Sequence, residues 1–370
     1  MALPASGNQI TFNQVNVELG NTGTDQISLN DAAVRALFGE SSGAISMSDG
    51  FGASSFTPWY GTRGIFGGGK TNSNIYYITI ASTGNSTSFG TVSSGNSELT
   101  GFSNGTRGIF AGGKSGSSFL NIISYITIAS TGNSTDFGDL TVGRAELTGS
   151  ANDIRGIISG GNNSASVYSV NVIDYITIAS TGNATDFGNM TQGTVRVASV
   201  SNDSRVIIGG GHTTGISAYI NSMDYVTIAS TGNASDFGDL IRTISGMAGT
   251  ESSTRGIFFG GKYSSPLPTV QYITTASTGN ATDFGDISQA SAEDPNWDPE
   301  EDAPDERYRP GIDRSAGASN GTRAVFGGGI FGSNITDEQM NYLTIASLGN
   351  TADFGDLASK QWHMGAFSGS

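Results

Sequence analysis

Residues 175–188 read YITIASTGNATDFG, residues 125–138 read YITIASTGNSTDFG, and residues 225–238 read YVTIASTGNASDFG. Related copies open at Tyr77, Tyr272 and Tyr342, so the stretch occurs six times. Before each copy stands an arginine followed by an apolar run and a glycine pair, as in RGIFGGG from Arg63 and RGIISGG from Arg155. The other arginines are Arg107, Arg205, Arg255 and Arg323, and successive ones lie 44, 48, 50, 50 and 68 positions apart. A period of this size points to a solenoid or a propeller.

One unit offers four short strands. Strand a is expected over 143–150 (GRAELTGS), strand b over Arg155–Ser159, strand c over Tyr175–Ala179, and strand d around Phe187, between Thr185 and Met190. Four strands separated by turn residues make one propeller blade. Neighbouring blades cover both faces of a blade, and strands b and c suit that position, being apolar at successive positions with almost no charge. The tail 360–370, KQWHMGAFSGS, stands where strand a of a further unit would be. It is expected to complete the first blade, which joins the ends of the ring and removes open sheet edges. The predicted fold is all-β: a six-bladed propeller over 59–370, preceded by a short segment, 1–58, containing small helices.

Composition narrows the function. The chain has 370 residues, 55 of them Gly, no Cys, and a net charge of −15. An acidic surface repels phosphate backbones and anionic membranes, so no nucleic-acid partner is expected. No 18-residue apolar run exists, so no membrane insertion is expected. The opening MALPASGNQITFNQ lacks the pattern of a secretory signal, so synthesis in a cytoplasm is expected. Without Cys there is no disulfide, thiolate nucleophile or sulfur-ligated metal.

Several motifs are set aside. GIFGGGKT, Gly64–Thr71, and GIFAGGKS, Gly108–Ser115, satisfy the P-loop pattern, but loop residues follow where a phosphate site needs a helix. DFG occurs without the rest of a kinase set. TGNATDFGD lacks the carboxylate spacing of calcium loops, and turn chemistry accounts for it. His212 and His363 lie in no recognisable catalytic or metal pattern. No catalytic residue, cofactor or metal is expected. The repeated arginines and Asp136, Asp186, Asp236, Asp283 and Asp353 (Ser88 in the first unit) are read as structural. They pair within or between blades, or else the arginines ring a central channel and hold an anion.

The c–d turn is nearly constant, whereas the residues between the glycine pair and the Tyr number 7, 11, 13, 13, 10 and 12. In an up-and-down blade the b–c loops and d–a connections share one face. That variable face carries Lys70, Lys114, Asn162, His212, Lys262 and Tyr263. It also carries an acidic insertion at about 291–314, with Trp297 and Tyr308 as exposed aromatics. Recognition is expected on divergent loops of a rigid scaffold.

Residues 1–58 do not repeat. FNQVNVEL sets Phe12, Val15 and Leu19 at helical spacing, and SLNDAAVRALFG does the same for Val34, Leu37 and Phe38, each run ending at Gly. Two such helices bury too little to fold alone. They form either a clip against the first blade or an attachment segment.

The apolar run ending in a glycine pair, with an aromatic about ten residues on, resembles kelch-type repeats in architecture, although the kelch Trp is missing. ALPASGNQITFNQVNVELG, QISLNDAAVRALFG and GAISMSDGFG are similar to the opening of tail-associated structural proteins of bacteriophages, including phages of cyanobacteria. The YITIASTGNATDFGDL repeats also resemble those of such virion proteins. The resemblance implies a non-enzymatic tail, tail-fibre or baseplate component, present in several copies per virion. Its N-terminal segment would dock on other tail proteins, and its variable face would contact a host-surface glycan or receptor. A purely structural adaptor and a surface-polysaccharide hydrolase are the alternatives.

Overall fold

The computed structural model describes residues 60–370 except 71, 94–96, 164–168, 215–217, 289–310, 332–334 and 337; before them it describes Val15, Leu19, Ser28 and 31–34. The chain divides into two compact units, Met1–Pro58 and Trp59–Ser370. In the first, Val15 is helical and buried, with Leu19 N donating to its carbonyl at 3.0 Å, and Ala32–Val34 are helical with Val34 buried. Phe12, Leu37 and Phe38 lie outside the described residues.

The second unit is a six-bladed propeller of four-stranded antiparallel sheets. The third blade runs Thr148–Ala151 (a), Arg155–Ser159 (b), Val172–Thr177 (c) and Thr185–Asn189 (d). The first blade takes strand a from Gly365–Gly369, which pairs antiparallel with Arg63–Gly67 from Arg63↔Gly369 to Gly67↔Gly365. The tail therefore closes the ring, as the repeat spacing implied.

Two strands differ from expectation. Strand a begins five residues later, because Glu146 sits at φ 55° and turns the chain before pairing starts. Strand c begins three residues earlier, because Ile173 and Asp174 pair with Ser159 and Ile158. The residues before each Tyr differ between blades, so the repeat concealed them. The acidic insertion is also shorter than read: Ile312 is buried in the hydrophobic core, and 311–314 belong to the propeller.

The core is split into six clusters, one between each pair of neighbouring blades. One joins the last blade to the first through Phe66, Ile78, Val325 and Phe354. Phe259 and Phe326 stack at 3.9 Å between the fifth and sixth blades. Strands a are built of small residues, such as Thr-Gly-Ser-Ala at 148–151, because six of them converge on one axis.

The constancy of the quoted stretch has a mechanical cause. The c–d turn of each blade pairs with strand d of the preceding blade. At the third–fourth junction Gly232 N donates to Phe187 O and Ala234 N to Asn189 O, both at 2.8 Å, while Asn189 N donates to Asn233 Oδ1 at 3.0 Å. The same three bonds recur at every junction, including last to first, where Gly84, Ser86 and Asn85 meet Phe354 and Asp356. Both halves of this latch lie within fifteen consecutive residues of one unit, the quoted stretch and the residue after it. A change there would have to suit two neighbours at once. The latch also covers the outermost strand edge.

Each repeat arginine crosses to the following blade, though not to an aspartate. Arg155 Nη1 donates to Ile228 O and Ala229 O at 3.0 and 3.1 Å, and its guanidinium lies 4.9 Å above Tyr175. Tyr175 meets Phe187 edge-on at 5.9 Å. Arg63, Arg107, Arg205, Arg255 and Arg323 repeat the arrangement. Asp136, Asp186, Asp236, Asp283 and Asp353 are exposed at the rim, and no ion pair joins them to these arginines among the described residues. The expected pairing is thus replaced by carbonyl bonding. Arg107 shares a pleat face with Tyr125, whereas Asp136 pairs in register with Ser124 on the other face. The arginines do not line the central channel either.

Candidate functional site

The channel mouth is built where each d–a connection turns into strand a. In every blade the second glycine after strand b adopts a left-handed conformation, with φ from 98° to 122°. The next residue then bridges the d–a connection: Ser97↔Lys114, Ala145↔Asn162, Val195↔His212, Ser245↔Lys262 and Asp313↔Ile330. In the first blade Lys70 N donates to Trp362 O at 3.1 Å. The literal P-loop matches are therefore a strand, a left-handed glycine pair and this bridge.

The residue following each bridge partner faces the axis. These are Glu98, Glu146, Arg196, Gly246, Arg314 and His363, all at φ between 55° and 72°. Each donates its backbone N–H to the carbonyl of the one before. Glu146 bonds Glu98 at 2.9 Å, Arg196 bonds Glu146 at 2.9 Å, Gly246 bonds Arg196 at 2.8 Å and Arg314 bonds Gly246 at 2.7 Å. His363 bonds Arg314 and Glu98 bonds His363, both at 3.2 Å, so six hydrogen bonds form a closed ring. A left-handed conformation costs a non-glycine residue about 1 kcal/mol or more, and the ring bonds offset it. Below the ring lies a cavity of about 120 Å³ lined by strands a.

Side chains on the ring segregate by charge. Glu98 and Glu146 are adjacent, and Arg196 and Arg314 lie beyond them. Arg196 Nε binds Glu146 Oε1 at 2.7 Å, Lys70 Nζ lies 3.5 Å from Glu98 Oε1, and Arg314 Nε lies 3.4 Å from Asp313 Oδ2. Burial alone would raise the Glu98 carboxyl, but His363, Lys70 and Lys114 hold it down to about 2. Burial pushes His363 down to about 4, so its imidazole is neutral at pH 7. Burial also pushes Asp313 up to about 6 against Arg314, Arg196 and Lys262.

Among the residues expected on the variable face, Lys70 is exposed and stands 5.0 Å over the Trp362 ring, while Lys114 covers Phe119 at 4.6 Å. Lys262 is half-buried. Asn162 is buried, contrary to its reading as a binding residue, because its backbone forms the bridge to Ala145. His212 and Tyr263 come together through Tyr219: ring centroids are 5.2 Å apart for His212–Tyr219 and 5.3 Å for Tyr219–Tyr263, and Tyr263 is 53% exposed. Trp297 and Tyr308 lie outside the described residues.

Sequence reading missed the ring. Its signal is the position two residues before strand a, which reads E, E, R, G, R, H across the units. The reading also missed Arg144 and Asp174, a fully buried ion pair at 2.9 Å under the third blade's d–a connection.

No protein-family model matches the chain, and no curated protein matches its sequence.

Proposed function

We propose that the propeller is a non-enzymatic recognition module of a phage tail, binding a host-surface glycan through its divergent face. The observation that carries this reading is the His212–Tyr219–Tyr263 cluster of edge-on and tilted rings, whose outer ring is exposed on the face where the six units differ. Aromatic faces beside polar loops suit sugar rings, which present C–H patches to π surfaces and hydroxyls to polar neighbours. The latched rim supplies the rigid frame that such loops need. In this reading the segment 1–58 docks on another tail protein.

The test is adsorption of the purified chain to cyanobacterial cells and to their extracted surface polysaccharide. Saturable binding that falls at least about tenfold in Tyr263→Ala supports the proposal. Absence of binding, or binding indifferent to Tyr263 and Tyr219, rejects it in favour of a structural adaptor. Release of soluble sugar would reject the non-enzymatic part.

A further inference from the structure

We propose that Glu98, Glu146 and His363 form a binding site for one divalent transition-metal ion, Zn²⁺ best matching the donors, at the mouth of the central channel. One ligand atom from each of the three residues lies within 4.8 Å of the others. They come from three different blades and are brought together only by ring closure. The closed hydrogen-bond ring fixes their backbones, so the donors are held in place before any ion arrives.

A second, independent observation points to a ligand. The His363 side chain is only 8% exposed, and its Nδ1 is aimed at Glu98 Oε1 from 3.6 Å, too far for a hydrogen bond. That buried nitrogen has no hydrogen-bond partner. A buried polar atom left in this way is costly, and a metal ion would use it. One imidazole and two carboxylates suit Zn²⁺, with the fourth position open to water. A tetrahedral site places neighbouring donors about 3.3 Å apart, so the His363–Glu98 edge already has nearly the required length. Arg196 binds Oε1 of Glu146 at 2.7 Å, whereas the Glu98 oxygen facing His363, Oε1, has only the half-exposed Lys70 ammonium at 3.5 Å, which the ion would displace. The ion would take Glu98 Oε1 and the free oxygen of Glu146.

The experiment is titration calorimetry of the full chain, stripped with chelator, using ZnCl₂ with MgCl₂ as the hard-cation control. One Zn²⁺ per chain is expected, weakened at least about tenfold in His363→Ala and in Glu98→Gln and unchanged in His212→Ala. Thermal melts without metal check that the variants fold. Where His363→Ala fails that check, Glu98→Gln and Glu146→Gln decide the matter. No binding at about 100 μM Zn²⁺, binding equally strong with Mg²⁺, or binding lost in His212→Ala but kept in Glu98→Gln overturns the proposal.

Discussion

Replacing Arg144 and Asp174 tests how this propeller tolerates a charge pair in its interior. Both side chains are 0% exposed; Arg144 Nη2 binds Asp174 Oδ2 at 2.9 Å and Ile158 O at 3.2 Å, and Thr141 Oγ1 donates to Asp174 Oδ1 at 2.7 Å. Removing one partner of such a pair leaves an uncompensated buried charge and costs about 3–5 kcal/mol. Other blades solve the same position without a pair. The fifth uses Ile244 and Gln271, whose Oε1 accepts from Ile241 N at 2.9 Å. The fourth keeps Asp224 with Thr191 alone, and there burial raises the carboxyl's pKa. Arg144→Ile and Asp174→Gln should therefore each lose about 3–5 kcal/mol, while the double variant, which copies the fifth blade, should stay within about 1 kcal/mol of wild type. Guanidinium unfolding followed by circular dichroism measures all four proteins. Additive losses in the double variant, or Arg144→Ile indistinguishable from wild type, would refute the reasoning.

Three further outcomes follow from the channel and the rim. Glu251, at the lower end of strand a in the fifth blade, is pushed up to about 7 by burial, against bonds from Ser201. Its folded value lies above the unfolded one of 4.5, so the wild type should lose stability as pH rises from 4.5 to about 7. Glu251→Gln should match the wild type in melts below that window and exceed it by up to about 3 kcal/mol above it; equal melts at pH 8 would contradict the assignment. At the third–fourth latch, Asn233→Ala removes one hydrogen bond and should cost about 1 kcal/mol. Gly188→Ala should cost more, because its φ of 148° disfavours a side chain and a Cβ would collide with the Gly232 carbonyl; denaturant midpoints in the reverse order would count against the latch. Deleting 364–370 removes strand a from the first blade and uncovers Phe66 and Phe110. Cooperative unfolding should then give way to a broad transition, and a deletion that melts like the full chain would show that closure adds no stability.

The sequence alone determined the blade. The six-fold recurrence set the number of sheets, strand b was placed to the residue by its arginine and glycine pair, and the tail's position in the period foretold closure. These features are legible because they are local and repeated: a strand shows its alternation, and a left-handed turn shows its glycine. Tertiary structure decided which residues meet across blades. Arg155 finds carbonyls more than seventy positions away rather than a nearby Asp, because pleat direction, not charge, sets what it can reach. The ring residues are scattered from 98 to 363, and they meet only because six connections converge on one axis. A single unit shows no more than an unremarkable Glu, Arg or His before a strand. Their proximity is a product of closure, and so is whatever the channel mouth binds.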